Sequence, residues 1–195
     1  MMHTLELHIK GMVCPRCETV IRQELERLDV AVVSIRLGYA TVEAPSSVDR
    51  SSIARQLRPH GFELLTDPEE QRLEQIRAAV FDYLRLQEAA ASRGASVPAL
   101  SHFLAQKVGR NYSYQSKLFS TREGRTLEHY YIHLRIERVK ELLDDNERNV
   151  SEIAHQLGYS SSHYLSAQFK KVTGQSISDY RKNTRDSGRN YLNQI

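Results

Sequence analysis

The sequence predicts an α+β chain in two parts: a small strand-and-helix part up to residue 66, then an all-α part that runs almost to the end. Three observations predict it. Up to residue 66, apolar residues recur at the two-residue spacing of strands, interrupted by two amphipathic helical stretches. After Asp67-Pro68 only helical spacings remain. The charge is also divided, since residues 1–66 balance to zero while residues 101–195 carry 15 Lys/Arg against 10 Asp/Glu. Hydrophobic residues make up 40% of the 195 and charged residues 26%, the balance of a globular chain with room for two small domains. No apolar run approaches the roughly 20 residues that span a bilayer. The opening Met-Met-His-Thr-Leu-Glu-Leu-His lacks the basic patch and apolar core of a secretory leader, so a cytoplasmic location with no membrane partner is expected.

In the first part, Leu5, Leu7 and Ile9 alternate with Glu6, His8 and Lys10 as in a half-buried strand. Gly11 to Cys17 makes a loop. A helix follows, with Val20, Ile21, Leu25 and Leu28 on one face and Arg22, Gln23, Glu26 and Arg27 on the other. Val33, Ile35 and Leu37 give a second strand, Gly38-Tyr39 a turn, and Ala40 and Val42 a third strand. Asp49 to Arg58 is a short helix with Ile53 and Leu57 inward. Phe62, Leu64 and Leu65 give a last edge strand. The order β-α-β-β-α-β is the split βαβ, or ferredoxin-like, arrangement.

The chain has two cysteines, Cys14 and Cys17. A disulfide between them would close only a tiny loop and is not expected in a reducing compartment. Metal binding and redox chemistry remain. Pro15 suits a helix start, which places Cys17 in the first turn, where the positive helix end favours thiolates. Two such sulfurs suit a soft ion: Cu(I) first, with Zn(II), Hg(II) or Cd(II) as alternatives. His8 falls on the polar face of its strand. The Gly-Met-x-Cys-x-x-Cys loop and the closing Pro59-His60-Gly61-Phe62 resemble the heavy-metal-associated domain of copper chaperones and copper-transporting ATPases. That resemblance implies Cys14 and Cys17 as metal ligands, His60 as a candidate third, and Met12 as a buried anchor. It also suggests a copper chaperone or transporter domain of the same fold as partner. The sequence departs from the family at Asp29, where a glycine is common. A thioredoxin-like redox pair stays open as the rival reading, although the aromatic residue and internal Gly-Pro usual in such pairs are missing.

In the all-α part, Leu73, Ile76, Val80, Tyr83 and Leu84 form one stripe, and Ala89 to Ser96 is expected to be a loop. A long helix over about 127–143 is apolar on two sides, with Leu127, Tyr131 and Leu134 on one and Ile132, Ile136, Val139 and Leu143 on the other. It is therefore packed on two sides, between two similar helical units. In the second unit Asn149-Val150-Ser151-Glu152 reads as a capping box. Ile153, Ala154 and Leu157 are its buried face, Gly158 ends the helix, and Tyr159-Ser160-Ser161 turns into a second helix that buries Leu165 and Phe169 before Gly174. This is the helix-turn-helix form. Its second helix would offer Ser162, His163, Ser166 and Ala167 to base edges and Lys170 and Lys171 to phosphates. Residues from about 183 on are polar and expected to be frayed.

The string from Ser151 to Ser160, with Tyr164-Leu165-Ser166, Phe169-Lys170-Lys171, Gly174 and Tyr180-Arg181, resembles the AraC-family signature. Arg135-Ile136 and Lys140-Glu141-Leu142-Leu143 in the long helix match it as well. The first unit is a looser match through Leu104-Ala105, Gly109, Asn111 to Phe119 and Gly124, with Gln115 where an apolar residue is expected. If it docks as the family does, Ser113, Ser116 and Lys117 face bases. The resemblance covers residues from about 70 to 183. It implies a cytoplasmic transcription regulator that binds double-stranded DNA, with a heavy-metal-associated domain at 1–66 and an AraC-type DNA-binding domain at 70–183. Binding of Cu(I) would modulate DNA affinity. The alternatives are a constitutive DNA binder with a metal-docking module, or a thiol redox sensor. No Gly-rich phosphate loop and no Ser/His/carboxylate cluster suggests an enzyme.

Overall fold

A computed structural model describes residues 2–12, 15–109 and 111–183. Contacts divide the chain into two compact units, one of residues 1–79 and 104–110, the other of residues 80–103 and 111–195.

The first unit holds a four-stranded antiparallel sheet in the order β2-β3-β1-β4. The strands are β1 (Met2–Lys10), β2 (Ala31–Arg36), β3 (Tyr39–Pro45) and β4 (Glu63–Leu64). Helix α1 (Pro15–Glu26) connects β1 to β2, and α2 (Arg50–Leu57), with the single turn Arg58–His60, connects β3 to β4. Leu7 and Ile9 alternate onto the buried side of β1, where Leu7 pairs with Ala40 of β3, and Val42 and Ala44 of β3 are buried as well. Ile21 and Leu25, one helical turn apart on α1, and Ile53 and Leu57 on α2 complete this core with no exposed surface. Asp49 caps α2 by accepting the Ser52 N–H at 2.8 Å. The edge strand β2 carries an irregularity between Val32 and Ser34, which leaves Val33 exposed.

Two turns in this unit depend on unusual backbone. Gly11 has φ +93°, and a Cβ there would stand 2.6 Å from the Gly61 carbonyl oxygen, so the strand-to-helix loop and the loop before β4 close on each other only with glycine. Asp29, in the turn between α1 and β2, has φ +57°, a left-handed conformation that glycine adopts without cost.

Helix α3 (Pro68–Ala91) is a single 24-residue helix. It runs through Ala89–Ala91, where a loop was expected, because the alanine run has the best intrinsic helix propensity. The expected loop is thereby shortened to the residues after Ala91. Its first part lies in the first unit. There Glu74 is buried beside Gly38 and paired with Arg77 at 2.5 Å.

In the second unit α6 (Leu127–Asp144) is the central helix. It buries Leu127, Tyr131, Ile136, Val139, Leu142 and Leu143, while Ile132 and Leu134 are only half-buried. Tyr83 of α3 meets Tyr131 edge-on at 5.5 Å, and Glu88 accepts from Arg138 at 2.7 Å. The remaining helices are α4 (Leu100–Val108), which belongs to the first unit from Leu104 on, α5 (Tyr112–Glu123), α7 (Val150–Gln156), α8 (Ser162–Thr173) and α9 (177–183). Both α5 and α8 pack against α6, and α7 packs against α8. No described helix is long and apolar enough to cross a membrane.

Candidate nucleic-acid interface

The α7–α8 pair is built by local rules. Asn149 accepts the N–H groups of Ser151 and Glu152 at 3.0 Å, and the Glu152 carboxylate takes the Asn149 N–H at 2.7 Å. This reciprocal cap fixes the start of α7. Gly158, at φ +68°, turns the chain out of the helix. Ser161 then caps α8 by accepting the Tyr164 N–H at 3.1 Å.

The turn between the two helices is held from below by Arg135 of α6. Its Nη2 donates to the Leu157 carbonyl at 2.8 Å, and its guanidinium lies 3.7 Å from the centre of the Tyr159 ring. The Tyr159 hydroxyl donates to Gln168 Oε1 at 2.9 Å, tying the turn to the middle of α8. Burial pushes the Tyr159 phenol above its ordinary pKa, so it stays a neutral donor.

With its core side pinned by Leu165 and Phe169, α8 turns the opposite side to solvent. His163, Ala167, Lys170 and Lys171 are exposed, and Ser162 and Ser166 are half-buried. Five of the six residues expected to meet DNA from this helix, namely Ser162, His163, Ser166, Ala167 and Lys170, line one open hollow of about 800 Å³. Lys171 is not part of that lining. The remainder of the wall comes from the starts of α7 (Asn149, Val150, Ser151), read from the sequence only as a cap, and of α9 (Ser176, Ile177, Ser178), which the sequence reading did not single out. Their signal was present in the caps: Ser176 accepts the Asp179 N–H at 3.1 Å, a Ser-x-x-Asp start.

A second surface repeats this one at a constant offset of fifty residues. Asn111 caps α5 as Ser161 caps α8, accepting the Tyr114 N–H at 2.8 Å. Gln115 and Phe119 are buried where Leu165 and Phe169 are. Gly124 and Gly174 end the two helices in the left-handed conformation. Thr126 and Ser176 cap the next helix, and Phe119–Tyr130 matches Phe169–Tyr180 as a ring contact, at 5.2 and 5.6 Å. Ser113, Ser116 and Lys117 thus stand where His163, Ser166 and Ala167 do, with Ser113 and Lys117 exposed and Ser116 half-buried. The repeat also brings out a pair that sequence reasoning missed. Tyr114 and Tyr164, each third in its helix, are 46% and 53% exposed, far more than a tyrosine needs for packing.

For a metal, the described residues of the N-terminal unit offer one thiol. Cys14 lies outside the described residues, and Cys17 is half-exposed in the first turn of α1. Met12 is buried, and its sulfur accepts the Gly38 N–H at 3.2 Å, so it is engaged as an anchor. His60 is exposed, and its Nε2 lies 3.2 Å from Oε1 of the buried Glu24, which also accepts from Arg27 at 2.6 Å and Gln56 at 2.6 Å. The hydrogen bond from Gln56 is the main reason the Glu24 carboxyl sits below its ordinary pKa. A carboxylate on one ring nitrogen leaves Nδ1 as the nitrogen His60 could offer to an ion. Among the described residues no group of three or more His, Cys, Asp or Glu is placed to hold a metal ion.

Residues 104–183 match the helix-turn-helix domain family. The MmsAB operon regulatory protein of Pseudomonas aeruginosa is 40% identical over 62 residues, which is 32% of this chain and 20% of that protein. The raffinose operon transcriptional regulatory protein RafR of Pediococcus pentosaceus is 34% identical over 91 residues, 47% of this chain and 31% of that one. The transcriptional activator RhaR of Klebsiella pneumoniae is 33% identical over 86 residues, 44% and 30% respectively. The chain therefore spans a fifth to a third of the length of these relatives, all of them regulators rather than enzymes. Among solved structures, the C-terminal domain of AraT, a response regulator from Geobacillus stearothermophilus, is 28% identical with a TM-score of 0.44, covering 57% of this chain and 88% of that one.

Proposed function

We propose that the whole chain is an AraC-type DNA-binding transcription regulator, with residues 70–183 as its DNA-binding domain, a reading supported by the match of residues 104–183 to the helix-turn-helix domain family. One observation carries this reading: Ser162, His163, Ser166, Ala167 and Lys170 gather on one open surface of α8, walled by the starts of two further helices. Serine and histidine make single hydrogen bonds to base edges, whereas a bidentate arginine would select guanine, so discrimination among operators is modest. Lys170 and Lys171 meet phosphates and set the salt dependence. Ser113, Ser116 and Lys117 on α5 make the equivalent contacts with a neighbouring stretch of the same groove face.

For residues 1–66 the reading is a ferredoxin-like, heavy-metal-associated domain. It is supported by the β-α-β-β-α-β element order, the antiparallel sheet order β2-β3-β1-β4, the anchoring of Met12 and the position of Cys17 at the start of α1. Cys14 and Cys17 would hold the ion. Two thiolates suit Cu(I) before Zn(II). The bound ion would act on DNA affinity only through a difference in its own affinity for the free and DNA-bound protein. A copper-donating domain of the same fold is the natural partner for such a loop.

The test is selection of DNA from a random pool at fixed salt, with and without Cu(I), followed by affinity measurements on the enriched motif. Enrichment of one motif, lost in His163→Ala together with Ser166→Ala, supports the DNA reading, and no enrichment defeats it. A shift in affinity on adding Cu(I) that disappears in Cys14→Ser supports metal regulation. Equal affinity in both conditions leaves a constitutive DNA binder and removes the regulatory part.

A further inference from the structure

Outside both proposed sites, α6 carries two histidines one helical turn apart. His129 and His133 stand with ring centroids 4.8 Å apart and planes nearly perpendicular, at 80°. His129 is exposed and His133 half-buried. We propose that His129 and His133 form a bidentate site for a borderline divalent ion of the Zn(II), Ni(II) or Cu(II) class, separate from the cysteine loop.

The argument is geometric first. Residues at i and i+4 on a helix lie one above the other, and two imidazoles so placed converge on one ion without moving the backbone. A helix also makes the spacing rigid, so little ordering is needed on binding. Imidazole nitrogen suits Zn, Ni and Cu(II), whereas a paired thiolate loop selects softer Cu(I), so the two sites draw on different ions. With two protein ligands, waters complete the coordination, and the ion is exchangeable rather than structural. Electrostatics agree. Burial, and after it the neighbouring His129 and Arg125, hold the His133 imidazole below its ordinary pKa, toward the neutral form that binds metal. Glu137, the next residue on the same stripe, raises it, and its carboxylate is paired with Lys140 at 2.7 Å.

The test is addition of Ni(II) to the full chain while the ring proton resonances of its eight histidines are followed. Paramagnetic Ni(II) broadens the rings nearest to it. The expected result is that the His129 and His133 signals respond first and together, and that His129→Ala or His133→Ala each weakens the first binding step at least about tenfold, because each destroys the chelate. His102→Ala should leave that step unchanged. A thermal melt of His129→Ala, a change at an exposed position, shows that the variant is folded. If the first equivalent instead affects His60 or another histidine, or if His129→Ala leaves binding unaltered, the pair is a packing contact and the proposal is overturned.

Discussion

At Asp29 the backbone is left-handed, and an L-residue other than glycine is strained there by roughly 1 kcal/mol. Asp29→Gly should therefore raise the unfolding free energy by about 1 kcal/mol, less what the freer unfolded chain takes back, read as a higher denaturant midpoint at constant slope. A loss of stability would mean that the aspartate is held by contacts that outweigh its backbone strain. At Lys170 the issue is charge. If this exposed side chain meets a phosphate, Lys170→Ala should weaken binding to all sequences alike and reduce the slope of log K against log salt by about one. An unchanged slope would place Lys170 off the DNA. Some residue roles were legible in the sequence and others were not. The sequence placed Leu165, Phe169 and the Asn149 cap correctly because each is decided within one or two turns of helix. It gave no hint that His60 pairs with Glu24, since that contact joins residues 36 positions apart at a buried carboxylate that only the folded unit creates.

Among the elements, α7 is the most dependent on its ends. Seven residues are too few for a stable helix in isolation, so the cap and the packing against α8 carry it. Asn149→Ala removes the acceptor of two backbone N–H groups and should cost about 1 kcal/mol. Because Asn149 also lines the hollow, the same variant should lower DNA affinity, and the two effects separate by measuring affinity well below the melting temperature. Most elements of this half could be read from periodicity, and the exceptions are informative. The end of α3 was read as loop because small residues and Gly94 resemble a linker, yet alanine continues a helix readily. The division between the units falls inside α3 and α4, where no change of composition marks it, so a boundary drawn at Asp67-Pro68 follows the sequence pattern and not the contacts.

At the scale of the whole chain, the fifty-residue repeat explains why the first unit was the looser match. Its scaffold of caps, glycines and ring contacts is retained, while one core position holds Gln115 in place of a residue like Leu165. If both units contribute, disabling α5 by Ser113→Asp with Lys117→Asp should reduce affinity for the full operator at least about tenfold, through like-charge repulsion with phosphates. It should leave binding to a half-operator bearing only the α8 motif nearly unchanged. Equal affinity for both DNAs in the unaltered protein would show that the first unit does not bind. The α5 and α8 surfaces are carried by one helix, since Phe119 leans on Tyr130 and Arg135 reaches across to the turn before α8. Eighteen residues of α6 make a strut about 27 Å long, and it has no hinge. On the proposed function, the chain would act toward DNA as a caliper with a fixed opening. Lengthening the operator between its two halves by five base pairs turns the far half away from the protein. Lengthening it by a full turn restores the face but not the reach, so neither insertion should be tolerated, in contrast to a regulator whose two reading heads hang on a flexible tether.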